Sequence, residues 1–238
     1  MIFKRVLVPF VAAAMCASMI PATVMADAVA SQEAVAVVDV VDSGSESPSP
    51  ISGKCGPNLN YKVNSEGVLV ISGTGSMNNY AAGKAPWYAA KDKISGIAFS
   101  GKPTSIGNYA FYGLNISSAN IHSGITSIGT GAFYGSSVTK VNGGASLKKI
   151  GASAFKNTKK LTTFIITSKS LSSIGSQAFS GSALKTIKIT KTTKLTKKGV
   201  KNSLKGSSVK TVDVTNGKKL TYGTYFKKSN SGKKVTVK

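Results

Sequence analysis

Any chemistry in this chain would have to come from very few side chains. Beyond residue 50 the sequence holds one histidine (His122), one cysteine (Cys55) and three acids, Glu66, Asp92 and Asp213. A thiol nucleophile needs a base within hydrogen-bond reach. Cys55 and His122 are the sole such pair, and nothing in their spacing places them together. Glycoside hydrolysis needs two convergent carboxylates, and these acids stand at positions 66, 92 and 213. Zinc or calcium needs a cluster of ligands, which one His, one Cys and scattered acids do not form. His122 follows the strand position Ile121 and reads as an exposed polar turn residue. Gly73-Thr74-Gly75 follows an apolar run, yet no lysine–serine pair and no helix start come after it, so a tight turn is expected rather than a phosphate loop. The expectation is no enzyme, no metal and no cofactor.

Lysine, by contrast, is abundant. From residue 51 onward there are 29 lysines, no arginine and three acids, a net charge of +26. From Lys140 to the end there are 23 lysines, with Asp213 the only acid. Such a field draws polyanions without specifying one, and it either keeps the chain in solution or meets an anionic partner. Nucleic acid is not favoured, because arginine, the usual reader of guanine edges, is missing. Tyr222, Tyr225 and Phe226 could stack on bases, but they fit a C-terminal cap as well.

The start of the chain reads as an export signal over residues 1–26. Lys4 and Arg5 precede an almost wholly apolar stretch from Val6 to Ile20, and small residues then offer cleavage at Val24-Met25-Ala26 or Ala26-Asp27-Ala28. The apolar run is shorter than the roughly 20 residues of a membrane span; an uncleaved anchor is the alternative. Met15 is too large for the small residue a lipoprotein site needs before Cys16. With Cys16 removed, Cys55 stands alone, either as a small buried hydrophobe or as a thiol open to a partner. The mature chain is expected to carry no membrane span and no sorting motif with an apolar tail. Residues 27–50 hold five of the eight acids, no Lys or Arg, and a Ser/Pro-rich end; they read as a flexible acidic tether. In residues 51–93, Leu59 to Val63 and Val68 to Ser72 alternate apolar and polar residues around Asn64-Ser65-Glu66-Gly67, a hairpin signature within a small β cap.

From Ile94 the chain repeats itself. Apolar triplets recur at Ile94/Ile97/Phe99, Ile116/Ala119/Ile121, Val138/Val141/Gly143, Leu161/Phe164/Ile166, Leu184/Ile187/Ile189 and Val209/Val212/Val214, in steps of 22, 22, 23, 23 and 25 residues. Between them stands Ser-Ile-Gly-x-x-Ala-Phe at Ser105–Phe111, Ser127–Phe133 and Ser173–Phe179, with a variant at Lys149–Phe155 and a worn copy at Val200–Gly206, Leu204 replacing the aromatic. A period of this length means stacked coils. The triplets suit short strands, and the Ile-Gly turn with Ala-Phe suits a tight return with one helical turn, its Phe inside. The array is expected over 94–214, with a Lys-rich C-terminal cap over 215–238. Strand alternation would turn two columns outward: Gly96, Ser118, Lys140, Thr163, Thr186 and Thr211, then Ala98, Asn120, Asn142, Ile165, Lys188 and Asp213. The candidate binding residues on this face are Ser118, Asn120, Lys140, Asn142, Thr163, Thr186, Lys188 and Thr211.

SIGNYAFYG, SIGTGAFYG, KIGASAFKN and SIGSQAFSG resemble the BspA-like leucine-rich repeats of bacterial surface and secreted proteins. The segment from Ser52 to Trp87 (SGKCG, GVLVISGTGSM, APW) resembles what precedes those repeats. The resemblance implies an α/β repeat fold, a strand-dominated right-handed leucine-rich-repeat solenoid, with no catalytic residues to transfer. It also implies a secreted or surface-associated protein that adheres to host or microbial surface proteins or glycans. The alternative is a structural protein of the cell wall, held by its lysines on anionic wall polymers.

Overall fold

The computed structural model describes residues 51–215 and 217–238; the expected signal (1–26) and tether (27–50) lie outside the described residues. Strand β1 (Ser52–Lys54) pairs antiparallel with β2 (Leu59–Val63), which pairs antiparallel with β3 (Val68–Ser76). Leu59, Tyr61 and Val63 point inward while Asn60 and Lys62 face out, as the period of two demands. Asn64 closes the hairpin, its side-chain oxygen accepting from the Glu66 and Val68 amides.

The tight turn expected at Gly73-Thr74-Gly75 is not there. Those residues lie inside β3, with Gly73 and Gly75 at φ 100 and 91. A Cβ on Gly73 would stand 2.2 Å from the Asn58 carbonyl oxygen. The two glycines and a bulge at Gly75/Ser76 bend β3 rather than ending it, as bulges do. Its first half pairs in parallel with β4 (Gly96–Phe99) and its end with β5 (Lys102–Ile106).

The coils that follow give strands alternately to two parallel sheets. The Ser-Ile positions form β7 (Ser127–Ile128), β9 (Lys149–Ile150) and β11 (Ser173–Ile174), which continue from β5. The triplets form β6 (Ser118–Asn120), β8 (Lys140–Asn142), β10 (Thr163–Ile166), β12 (Thr186–Ile189) and β13 (Thr211–Val214), and β14 (Thr236–Val237) closes this second sheet beside β13.

Two local expectations of the return are corrected. Ile-Gly is not a turn but a strand followed by a point of closest approach between coils. A Cβ at Gly107, Gly129, Gly151 or Gly175 would lie 1.8, 2.6, 2.6 or 2.4 Å from backbone atoms of the preceding coil or segment. The helical turn is absent as well. Each return carries two residues of positive φ four positions apart, such as Tyr109 and Gly113, Gly131 and Gly135, or Ser153 and Asn157. Left-handed residues at that spacing break an α-helix. Among the described residues the α-helices are α1 (Lys219–Tyr225) and α2 (Lys228–Ser231), both after the repeats.

The returns bond to one another instead. The Tyr109, Phe111 and Gly113 amides donate to the Thr130, Ala132 and Tyr134 carbonyls at 2.9, 2.7 and 2.9 Å. The next coil repeats the pattern from Gly131, Phe133 and Gly135 to Ala152, Ala154 and Lys156 at 3.0, 2.8 and 2.8 Å. Inside these ladders runs a column of rings. Trp87, Phe111, Phe133, Phe155 and Phe179 are fully buried, with successive centroids 6.1, 5.1, 5.0 and 5.7 Å apart. Leu204, buried too, continues the column in the worn copy, and its amide donates to Ser231. Tyr222 and Phe226 of the terminal segment are buried, and the Tyr222 hydroxyl accepts from the Thr193 amide at 2.9 Å.

Candidate functional site

The second sheet presents a face one strand wide per coil. Its registers put Ser118 beside Lys140, Lys140 beside Thr163, Thr163 beside Thr186 and Thr186 beside Thr211. The neighbouring column runs Asn120, Asn142, Ile165, Lys188 and Asp213. All eight candidate residues therefore stand in two adjacent rows. Ser118, Asn120, Lys140 and Lys188 are exposed; Asn142, Thr163, Thr186 and Thr211 are half-buried. The first member expected in each column does not join. Gly96 and Ala98 sit on β4, which pairs with Val68 and Val70 of β3 instead.

Local bonding decides which groups on this face are free. Asn142 Nδ2 donates to Asn120 Oδ1 at 2.8 Å, so the two amides form a rung and leave their other polar atoms outward. Just outside the face, Thr139 Oγ1 donates to the Ser117 carbonyl at 2.7 Å and Thr162 Oγ1 to the Thr139 carbonyl at 3.2 Å. Those hydroxyls tie coil to coil. The strand positions carry the groups a ligand can reach: Ser118, Lys140 and the Asn120–Asn142 amides early, then Lys188 next to Asp213.

The residues weighed for catalysis sit on separate elements. His122 is half-buried in the turn after β6, its Nδ1 accepting from the Gly124 amide at 3.1 Å. Asp92 meets Lys91 at 2.8 Å in a short 3-10 turn, and this contact raises the Lys91 ammonium above its ordinary value. Glu66 lies in the β2–β3 turn and Asp213 on β13. Among the described residues no three His, Cys, Asp or Glu side chains come together as metal ligands. Cys55 is fully buried, the hydrophobe of its two readings, and burial pushes its thiol up to about 11.

A second row of side chains was not singled out in the sequence. The residue after each core ring falls in one column: Tyr88, Tyr112, Tyr134 and Lys156, with Ser180 and Lys205 beyond. The signal was available in the paired strings AFYG, read there only for their buried phenylalanines.

A family model for the BspA type leucine rich repeat region matches residues 87–205 in six copies. Its bounds run from the first buried ring, Trp87, to just past Leu204. Among solved structures, the chain resembles a leucine-rich repeat protein from Eubacterium ventriosum, at 27% identity and a TM-score of 0.61. That likeness covers 71% of this chain and 45% of the other, so this chain spans less than half of that relative. The pneumococcal vaccine antigen PcpA matches at 17% identity over 68% of this chain and 64% of its own, with a TM-score of 0.28. No curated protein matches the chain in sequence.

Proposed function

From the premise that this chain belongs to the BspA-type leucine-rich-repeat family, we propose a non-catalytic binding protein, secreted or held at the cell surface, that adheres through protein or glycan ligands. One observation carries the reading: the outward columns Ser118–Lys140–Thr163–Thr186–Thr211 and Asn120–Asn142–Ile165–Lys188–Asp213 stand in unbroken register across five strands. Extended repeat surfaces of this kind serve as binding faces. Host or microbial surface proteins and glycans are the partners proposed. No helix among the described residues is long and apolar enough to cross a membrane.

The test is binding of the exported protein to matrix proteins, mucin and whole cells across a salt series. Selective binding that survives physiological salt and drops on Asn120→Ala or Lys188→Ala supports the face; no binding to any of them refutes adhesion. The lysine excess from Lys140 onward favours a second reading, a wall-associated structural protein held on anionic wall polymers. Broad polyanion binding that collapses with salt, and wall retention released by salt, would select that reading instead.

A further inference from the structure

We propose that the row Tyr88–Tyr112–Tyr134–Lys156, with Tyr109 beside it, is a second binding platform, and that its ligand is a linear acidic glycan. This rests on the reading of the chain as a binding protein, but not on the sheet face. The four tyrosines are half-buried on the outer side of the returns. Tyr88 and Tyr112 stand 6.0 Å apart, and Tyr112 and Tyr134 stack at 5.5 Å and 23°. Lys156 Nζ ends the row, 5.9 Å from the Tyr134 ring centre. Tyr109 meets Tyr112 edge-on at 6.2 Å. It holds φ 50, a left-handed conformation uncommon for so bulky a side chain. Its ring lies over Gly131, where a Cβ would come within 2.3 Å of it.

The chemistry of the row selects the ligand. Among the described residues the Tyr88, Tyr109 and Tyr112 hydroxyls have no hydrogen-bond partner, while Tyr134 accepts from Asn157 Nδ2 at 3.1 Å. Rigid rings with free hydroxyls are anchors that lose little conformational entropy on binding; stacked on one another, they present edges and hydroxyls outward, which suit the hydroxyl groups of a sugar. One ring recurs per coil, at centroid steps of 6.0 and 5.5 Å, so successive units of a linear polymer can meet successive rings. An extended peptide fits less well, since its same-side residues recur at roughly 6.6 Å. It would also want free main-chain donors, and the amides of Tyr109, Phe111 and Gly113 are already spent on the next coil. Charge complementarity supplies the sign: Lys156 closes the row, Lys205 lies further along its column, and the body carries +26.

The experiment titrates the full exported chain with hyaluronan and alginate oligosaccharides, neutral pullulan and poly-glutamate at fixed salt. The expected result is binding of the acidic glycans, weakened about tenfold or more in a Tyr112→Ala/Tyr134→Ala variant, as for aromatic hot spots. Lys62→Ala, which faces out from β2 away from both surfaces, should leave it unchanged; Asn120→Ala and Lys188→Ala report on the sheet face separately. Thermal unfolding confirms that the variants fold; if the double alanine variant does not, Tyr112→Phe and Lys156→Ala, which keep the stacked rings, must each weaken binding. Lack of binding to either acidic glycan would overturn the proposal, as would loss in the sheet-face variants alone, which leaves the sheet reading standing. Tighter, tyrosine-dependent binding of poly-glutamate would assign the row to acidic peptides instead.

Discussion

Gly151→Ala should unseat one coil from the next, although the added group is a single methyl. Its Cβ would lie 2.6 Å from both the Gly129 carbonyl carbon and the Thr130 nitrogen, and 2.7 Å from the Gly129 oxygen. All three are backbone atoms held in the inter-coil ladder, so no side chain can swing aside. Carbon contacts are comfortable at about 3.5–4.0 Å, so the coils must part locally by about 1 Å. Two bonds span that gap: Gly151 N to Ile128 O at 2.8 Å and Gly131 N to Ala152 O at 3.0 Å. Lengthened that far, both leave hydrogen-bonding range, at about 1 kcal/mol each. Overpacking adds about 1–3 kcal/mol, so the total is about 3–5 kcal/mol. For a body of this size that lowers the unfolding midpoint by roughly 6–20 °C. Gly96→Ala is the control, because its Cβ would find only Val68 Cγ2 at 3.7 Å and should cost less than about 0.5 kcal/mol. Circular dichroism melts of the two variants decide the matter. Equal midpoints would refute the close-approach argument.

Phe155→Ala should cost about 3–5 kcal/mol, because that ring packs on Phe133, Phe164 and Phe179 at 5.0, 5.0 and 5.7 Å. In urea it should unfold well before Phe99→Ala, whose ring is only partly buried; matching midpoints would sink the ring-column account. Cys55 should resist alkylation by iodoacetamide in the native protein at pH 8 and react at once in denaturant. Rapid native labelling would contradict its burial. The same thiol sets a pH trend: burial favours its neutral form, with the proton held until about 11 against an ordinary 9.0. Its stabilising contribution is therefore complete below about pH 9 and is lost as pH rises through about 11. A Cys55→Ala variant should lack that alkaline component.

The coil period and the strand face were legible for one reason. A step of 22 to 25 residues with the same apolar triplet forces like positions side by side, so Ser118 and Lys140 had to become neighbours once the strands were parallel. The sheet of Ser-Ile strands was harder to see because β7, β9 and β11 are each two residues long, too short to show a period of two. The glycine after each isoleucine misled for a related reason. A glycine read alone suggests freedom of φ, whereas at Gly129 and Gly151 the cause is the backbone of another coil. Similarly, nothing local in Ile94–Phe99 says that its strand pairs with Val68–Ile71 of β3, some twenty-eight residues earlier.

Hydropathy separates inside from outside, and the outward residues are where its information stops. In the column after the core rings, Tyr88, Tyr112 and Tyr134 give way to Lys156. On the sheet face, Asn120 and Asn142 precede Lys188. Both columns thus gain a lysine after uncharged groups, Lys156 on the returns and Lys188, followed by Asp213, on the sheet. On the returns the amides of Tyr109, Phe111 and Gly113 serve the ladder, so recognition there falls to side chains that each belong to one coil. Sites in separate coils share few partners, and changes at distant independent sites add. Lys188→Ala and Tyr112→Ala should therefore act independently on any ligand that touches both surfaces. Coupling between them would require the array to bend as it binds.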